Sequence, residues 1–138
     1  MRGATERLIE KFGLRDRFVL PGISTSDLSF WLEQMDVFLM TSRTESMPNS
    51  VIEAQLMGLP VVAPDVGGVS EAIATPRSGR ICPRTAEALT EAVIEYLDDQ
   101  LLRVAVRAEA PSAILKKFSI ARQIADTRLA YGWPPRCS

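Results

Sequence analysis

The sequence predicts an α/β layered domain: a Rossmann-like parallel sheet with flanking helices on both faces. Three observations carry this. Short β-rich runs alternate with stretches of helical periodicity along the chain. The runs Val37-Phe38-Leu39-Met40 and Pro60-Val61-Val62-Ala63 are apolar throughout instead of alternating, which suits strands buried on both faces. The turn residues Pro21-Gly22, Gly58 and Gly67-Gly68 punctuate the alternation.

Thr5 is placed to cap a first helix that gathers Leu8, Ile9 and Phe12 on one face and stops at Gly13. Phe18-Val19-Leu20 then reads as a short buried strand closed by Pro21-Gly22. Ser26 or Asp27 caps the next helix, where Leu28, Trp31, Leu32 and Met35 fall at helical spacing, so Trp31 is assigned to the core. The strand Val37–Met40 leads into a polar loop, Thr41 to Pro48. Asn49 or Ser50 opens a helix to Met57, and Gly58 suits the position just past its end. After the strand Pro60–Ala63, the turn Asp65-Val66-Gly67-Gly68 enters a short helix through Glu71 and Ile73. Gly79-Arg80-Ile81-Cys82-Pro83 is a fourth strand. The remainder is helical. Leu89, Ala92, Val93 and Tyr96 form one stripe, and a second run begins near Asp99, with Pro111 expected to break or restart it. Ser119 caps a last helix carrying Ile120, Ile124 and Tyr131 on one side, and Trp133-Pro134-Pro135 ends it.

At 138 residues the expectation is a single domain. With 46% hydrophobic and 24% charged residues the chain is globular in character. No apolar run is long enough to span a bilayer, and the start lacks the apolar core of a signal peptide. The expected location is cytoplasmic, with peripheral membrane contact left open. The 16 basic and 17 acidic residues are well mixed, which gives no electrostatic case for nucleic acid. Cys82 and Cys137 match no metal spacing and are read as reduced thiols. There is no histidine. That removes Ser-His-Asp and Cys-His chemistry and the commonest zinc ligand, so acid–base work falls to carboxylates, a substrate group or another chain.

Ligands of open α/β sheets bind beyond the carboxyl ends of the strands. The richest such loop is Thr41-Ser42-Arg43-Thr44-Glu45-Ser46-Met47-Pro48-Asn49-Ser50. It follows a strand and opens a helix, whose first backbone N–H groups, from about Asn49 to Ile52, make an anion site suited to a diphosphate. Glu45 and Glu53 flank that site with seven residues between them. A carboxylate on each side of a diphosphate suits hydroxyl pairs of a sugar at one end and a ribose at the other. On spacing alone a second reading stands beside this one: Glu53 favours the helix dipole and Glu45 is a solvated loop residue. Asp65-Val66-Gly67-Gly68 is a weaker signal, its glycines permitting a close backbone approach or a tight turn.

The segment Ser42-Arg43-Thr44-Glu45-Ser46-Met47-Pro48-Asn49-Ser50-Val51-Ile52-Glu53-Ala54-Gln55, with Met57-Gly58-Leu59-Pro60-Val61-Val62-Ala63-Pro64-Asp65-Val66-Gly67-Gly68-Val69-Ser70-Glu71, is very similar to the donor site of glycosyltransferase family 4. The stretch Gly13 to Gly22 and the strand at Asp36-Val37-Phe38-Leu39 also resemble it. The resemblance implies the C-terminal, donor-binding domain of a retaining GT-B enzyme. Glu45 would bind hydroxyls of the transferred sugar, and Ser46, Met47 and Pro48 would line its pocket. Backbone amides of Asn49, Ser50 and Val51 would hold the diphosphate, Glu53 the ribose, and Val19 and Leu20 would lie near the base. The donor would be a UDP- or GDP-sugar, with no metal and no other cofactor. No residue of this chain is assigned as catalytic, since the family's histidine lies in the other domain.

Two departures stand out. Ser46-Met47 replaces the family's usual Gly-Phe. The resemblance also implies an N-terminal acceptor domain and two leading strands, with an Arg and a Lys for the diphosphate, that this chain does not show. Of a family sheet ordered 3-2-1-4-5-6 it would keep strands 3 to 6. Phe18-Val19-Leu20 would then be unpaired, re-pair beside the next strand, or draw in another chain. The alternative to an enzyme part is a non-catalytic nucleotide-sugar-binding or interaction fragment.

Overall fold

The run Val61–Pro64 sits at the centre because both of its faces are apolar. Val61 and Ala63 point into one core cluster and Val62 into another, as the two-residue period of a strand requires. The computed structural model describes residues 2–22 and 28–133. Among them, three parallel strands form one sheet in the order β1 (Phe38–Leu39), β2 (Val61–Pro64) and β3 (Gly79–Cys82). The first core cluster packs Leu32, Met40, Val51, Ala54, Leu59, Val69 and Ala72 against one face. The second packs Leu89, Ala92, Tyr96, Val106 and Ala110 against the other. This is the predicted Rossmann-like layering, and the three strands lie side by side in chain order, as the right half of the expected sheet does.

The helices are α1 (Arg2–Lys11), α2 (Leu28–Glu33), α3 (Asn49–Leu56), α4 (Val69–Ala72), α5 (Ala86–Asp98), α6 (Gln100–Phe118) and α7 (Ile120–Ala130). Several differ from expectation. Helix α1 already begins at Arg2, with Thr5 inside it, and buries only Ile9; Leu8 and Phe12 are exposed. Of the predicted face of α2, Leu32 alone is buried, while Trp31 is half-buried with its edge against Phe30. The proposed caps Ser26 and Asp27, and Pro134, Pro135 and Cys137, lie outside the described residues. Helix α7 is capped as predicted, the Arg122 N–H donating to Ser119 Oγ, but buries no residue.

Phe18-Val19-Leu20 is not a strand. A short 3-10 turn, Arg15–Arg17, precedes it, and Phe18 and Val19 are exposed. Nor does it pair beside β1. Three residues hemmed by Arg17 and Pro21 gain too few ladder hydrogen bonds to offset their ordering without a neighbouring strand.

Pro111 neither breaks nor restarts α6, which runs unbroken through it. Val106, Ala110 and Ile114 on either side of it are buried, and this packing outweighs the lost backbone bond. The first turn is secured by the Leu102 N–H donating to Asp99 Oδ1 at 2.8 Å. Gly58 allows α6 to come close to α3. Its φ of +76° is left-handed, and a Cβ there would lie 3.0 Å from both Cα and O of Arg107.

Two buried polar groups hold the layers in register. Gln55 is fully buried. Its Nε2 donates to Val51 O and to Ala72 O, and its Oε1 accepts from Ala74 N–H and from Ser78 Oγ. It thereby ties α3 to the whole connection between β2 and β3. Tyr96, also fully buried, donates its hydroxyl to Arg77 O at 2.8 Å, with the Arg80 guanidinium 5.5 Å above its ring. Arg80 in turn pairs with Glu95 at 2.5 Å, which holds the Glu95 carboxyl below its ordinary value.

Replacing Gln55 with Leu removes the side-chain partner of Ala72 O and of the Ala74 N–H, while Ser78 Oγ keeps its bonds to Thr75, and is expected to lower stability by about 2 kcal/mol in urea unfolding. Burial pushes the Tyr96 phenol up to about 12, above its unfolded value of about 10. The folded state therefore keeps a proton that the unfolded chain loses. Stability from this group is intact below about pH 10 and falls as pH rises from there towards 12. Tyr96→Phe is expected to flatten that decline in pH-dependent unfolding and to lose about 1 kcal/mol at neutral pH.

Candidate functional site

The loop between β1 and α3 leaves the carboxyl end of the sheet, and α3 begins on proline. Pro48 is the residue that caps the helix, with φ −77° and ψ 107°, and it provides no side-chain acceptor. Its carbonyl accepts from the Val51 N–H at 3.1 Å and the Ile52 N–H at 3.4 Å. The N–H groups of Asn49 and Ser50 have no acceptor among the described residues. The expected anion-binding amides are thus narrower than the sequence suggested: two free donors at the mouth, with the next two turned inward on Pro48. A helix start that carries Ser, Thr, Asp or Asn is typically ~1 kcal/mol more stable than one without. An anion at this mouth offsets that deficit through the same amides.

The remaining predicted residues divide clearly. Pro48 and Val51 are buried and contribute backbone, whereas Ser46, Met47, Asn49 and Ser50 are exposed around the mouth. Glu45 and Glu53 are both half-buried, and neither carboxylate has a hydrogen-bond or ion-pair partner among the described residues. Glu53 follows Asn49 by one helical turn, so the two share a side of α3, and helical side chains lean back toward the N-terminus. Arg43 is exposed in the loop.

Val19 is exposed, and the grooves that Leu20 lines are formed, among the described residues, with α1 and residues 15–22. Conversely, a groove of about 690 Å³ leads from Met47, Asn49 and Ile52 past Glu71 to Lys117 and Arg122 at the junction of α6 and α7. Lys117 is steadied there by donating to Ile73 O at 2.8 Å. Sequence reasoning missed Lys117 and Arg122, which lie more than sixty positions from the loop; no local pattern marks them. A smaller hollow of about 170 Å³, at Asp36, Pro60 and Arg103, lies at the amino ends of the strands. Arg103 there is committed to the carbonyls of Tyr96 and Leu97.

Among the described residues no group of three or more His, Cys, Asp or Glu side chains is placed to hold a metal ion. No helix among them is long and apolar enough to cross a membrane. Cys82 is a free thiol whose ionisation is pushed up by burial, so it is no ready nucleophile. What the start of α3 offers is two backbone N–H donors, with the carboxylates of Glu45 before it and Glu53 within it as acceptors.

Known proteins resemble the chain in sequence and in fold. The Vi polysaccharide biosynthesis protein VipC/TviE of Salmonella typhi is 37% identical over 81 residues, covering 59% of this chain and 14% of that protein. Sucrose-phosphate synthase from Thermosynechococcus elongatus superimposes with a TM-score of 0.81 at 25% identity, covering 95% of this chain and 34% of that one. HepE of Anabaena, solved in complex with UDP, gives 0.81 at 23% identity over 93% of this chain and 36% of its own, and so speaks for the fold alone. The chain thus spans about a third or less of the length of these proteins. Residues 2–99 match the family described as Glycosyl transferases group 1, and with the GT-B type of layering around the α3 mouth, the chain belongs to that family.

Proposed function

We propose that this chain is the nucleotide-sugar-binding part of a retaining glycosyltransferase that uses a UDP- or GDP-sugar. The observation that carries the reading is the mouth of α3. Among the described residues two backbone amides have no acceptor there, with a half-buried, unpartnered carboxylate before the helix and another one turn into it. The amides of Asn49 and Ser50 take the diphosphate, aided by the positive end of the helix dipole. Glu53 accepts from the ribose hydroxyls and Glu45 from hydroxyls of the sugar. Ser46, Met47 and Pro48 form the wall beside the sugar. The polysaccharide-biosynthesis role in the name of the Salmonella relative supports this reading.

The chemistry follows from what these groups can do. An acceptor hydroxyl oxygen bonds to the anomeric carbon on the face from which the donor phosphate departs. The carbon–oxygen bond to phosphate breaks, the diphosphate takes the electron pair, and the hydroxyl proton passes to its oxygen. The chain's part is to position the donor and stabilise the leaving charge. It needs neither histidine nor metal for that part. A second domain or chain supplies the acceptor, and cytoplasmic placement at a membrane surface suits a lipid-linked or polysaccharide acceptor.

Equilibrium dialysis with UDP and UDP-glucose tests the assignment. Affinity is expected to be weak, on the order of millimolar. Glu53→Ala is expected to weaken UDP and UDP-glucose alike, by about tenfold. Glu45→Ala is expected to weaken UDP-glucose alone. Loss of neither ligand in either variant would refute the roles given to the two glutamates. Transfer of radiolabelled glucose to water or an added acceptor by this chain alone would show that catalytic groups reside in it. Binding without transfer is the expected result.

A further inference from the structure

The turn after β2 is built around two glycines, and both are pressed against the loop that carries Glu45. At Gly67, where φ is +52°, a Cβ would lie 1.6 Å from Glu45 O. At Gly68 the backbone, with φ −88°, suits any residue, yet a Cβ would lie 2.0 Å from Ser46 O and 3.2 Å from its carbonyl carbon. The demand for glycine at 68 therefore comes from the neighbour alone. The Gly68 N–H also donates to Glu45 O, at 3.4 Å. The atoms in the way are main chain of the loop, not a movable side-chain end.

The other side of the turn is fixed. Val69 and Ala72 of α4 are fully buried with Val51 and Ala54 of α3. Gln55 binds Ala72 O and the Ala74 N–H at 2.8 Å each. One end of the 65–74 connection is thus clamped to α3, and its glycine turn sets how deep the backbone of residues 45 and 46 can sit beside the α3 mouth.

We propose that Gly67 and Gly68 are positioning residues for Glu45: they set the depth of its loop, and so the aim of its carboxylate at the sugar end of the donor. The proposal rests on the reading of Glu45 given above. Any side chain at 68 forces the loop outward by ~1 Å, a displacement that costs a bound sugar far more than it costs the fold.

Gly68→Ala tests this by residue-resolved amide hydrogen exchange and by binding of UDP and UDP-glucose. Exchange at the Val51 and Ile52 amides, which are bonded to Pro48 O at the end of the loop, is expected to quicken by about tenfold or more while β2, β3 and α5 keep their protection within about twofold. UDP-glucose is expected to lose about tenfold in affinity while UDP holds within about twofold. Unchanged exchange, protection lost throughout the domain, or equal weakening of both ligands would overturn the proposal. In the unsubstituted chain, the hydrogen-bonded amides of Val51 and Ile52 and those of Gly68, Val69 and Glu71 are expected to open together with one urea dependence. Independent opening overturns the proposal whether or not the variant folds. If the unsubstituted chain binds neither ligand, the donor-site reading fails, and the exchange measurements alone decide whether the turn sets the loop.

Discussion

A helix that begins on proline has no side-chain oxygen to offer its first amides, and the carboxyl end of this sheet is organised around that deficit. Pro48 turns its carbonyl inward to Val51 and Ile52 and leaves the Asn49 and Ser50 amides facing the loop. Ordinary capping contributes ~1 kcal/mol, and a helix dipole acting on a nearby anion contributes a similar amount. The two magnitudes are close enough that a diphosphate bound there, as proposed, would make good the missing cap. In the proposed reading, the half-buried carboxylates of Glu45 and Glu53 on either side would contact what is attached to it.

The rest of the fold serves to keep that mouth still. Strand β2 is buried on both faces and fixes the height at which α3 starts. Gln55 ties α3 to the β2–β3 connection through three hydrogen bonds, two of them fully buried, where losing a partner is costly. The Gly67-Gly68 turn touches the loop from the other side. Function here depends on backbone placed against backbone, which explains why so few of the contributing residues look chemically distinctive.

This also explains what could be read in the sequence. The runs that became β2 and β3, and the helix Asn49–Leu56 ended by Gly58, were legible because apolar pattern and turn chemistry agreed. Glu45 and Glu53 stood out by spacing and resemblance, and they occupy a loop and a helix as expected. Phe18-Val19-Leu20 misled because β propensity without a neighbouring strand does not make a strand. Pro111 misled because packing of Val106, Ala110 and Ile114 outweighs a local breaker. Gln55 and Lys117 gave no signal, since the partners that tie them across the fold lie seventeen to forty-four positions away, and Arg122 gave none because the groove it lines joins α3 to α7 only once the layers have packed.

The central claim is that the free amides of α3 receive the diphosphate. Titrating UDP into isotopically labelled protein and following the backbone amide resonances tests it most directly. The account predicts that Asn49 and Ser50 shift most and saturate together, with smaller changes at Glu53 and little at α1 or along α5. Saturable shifts centred on the groove at Leu20 and α1, with Asn49 and Ser50 unmoved, would contradict it.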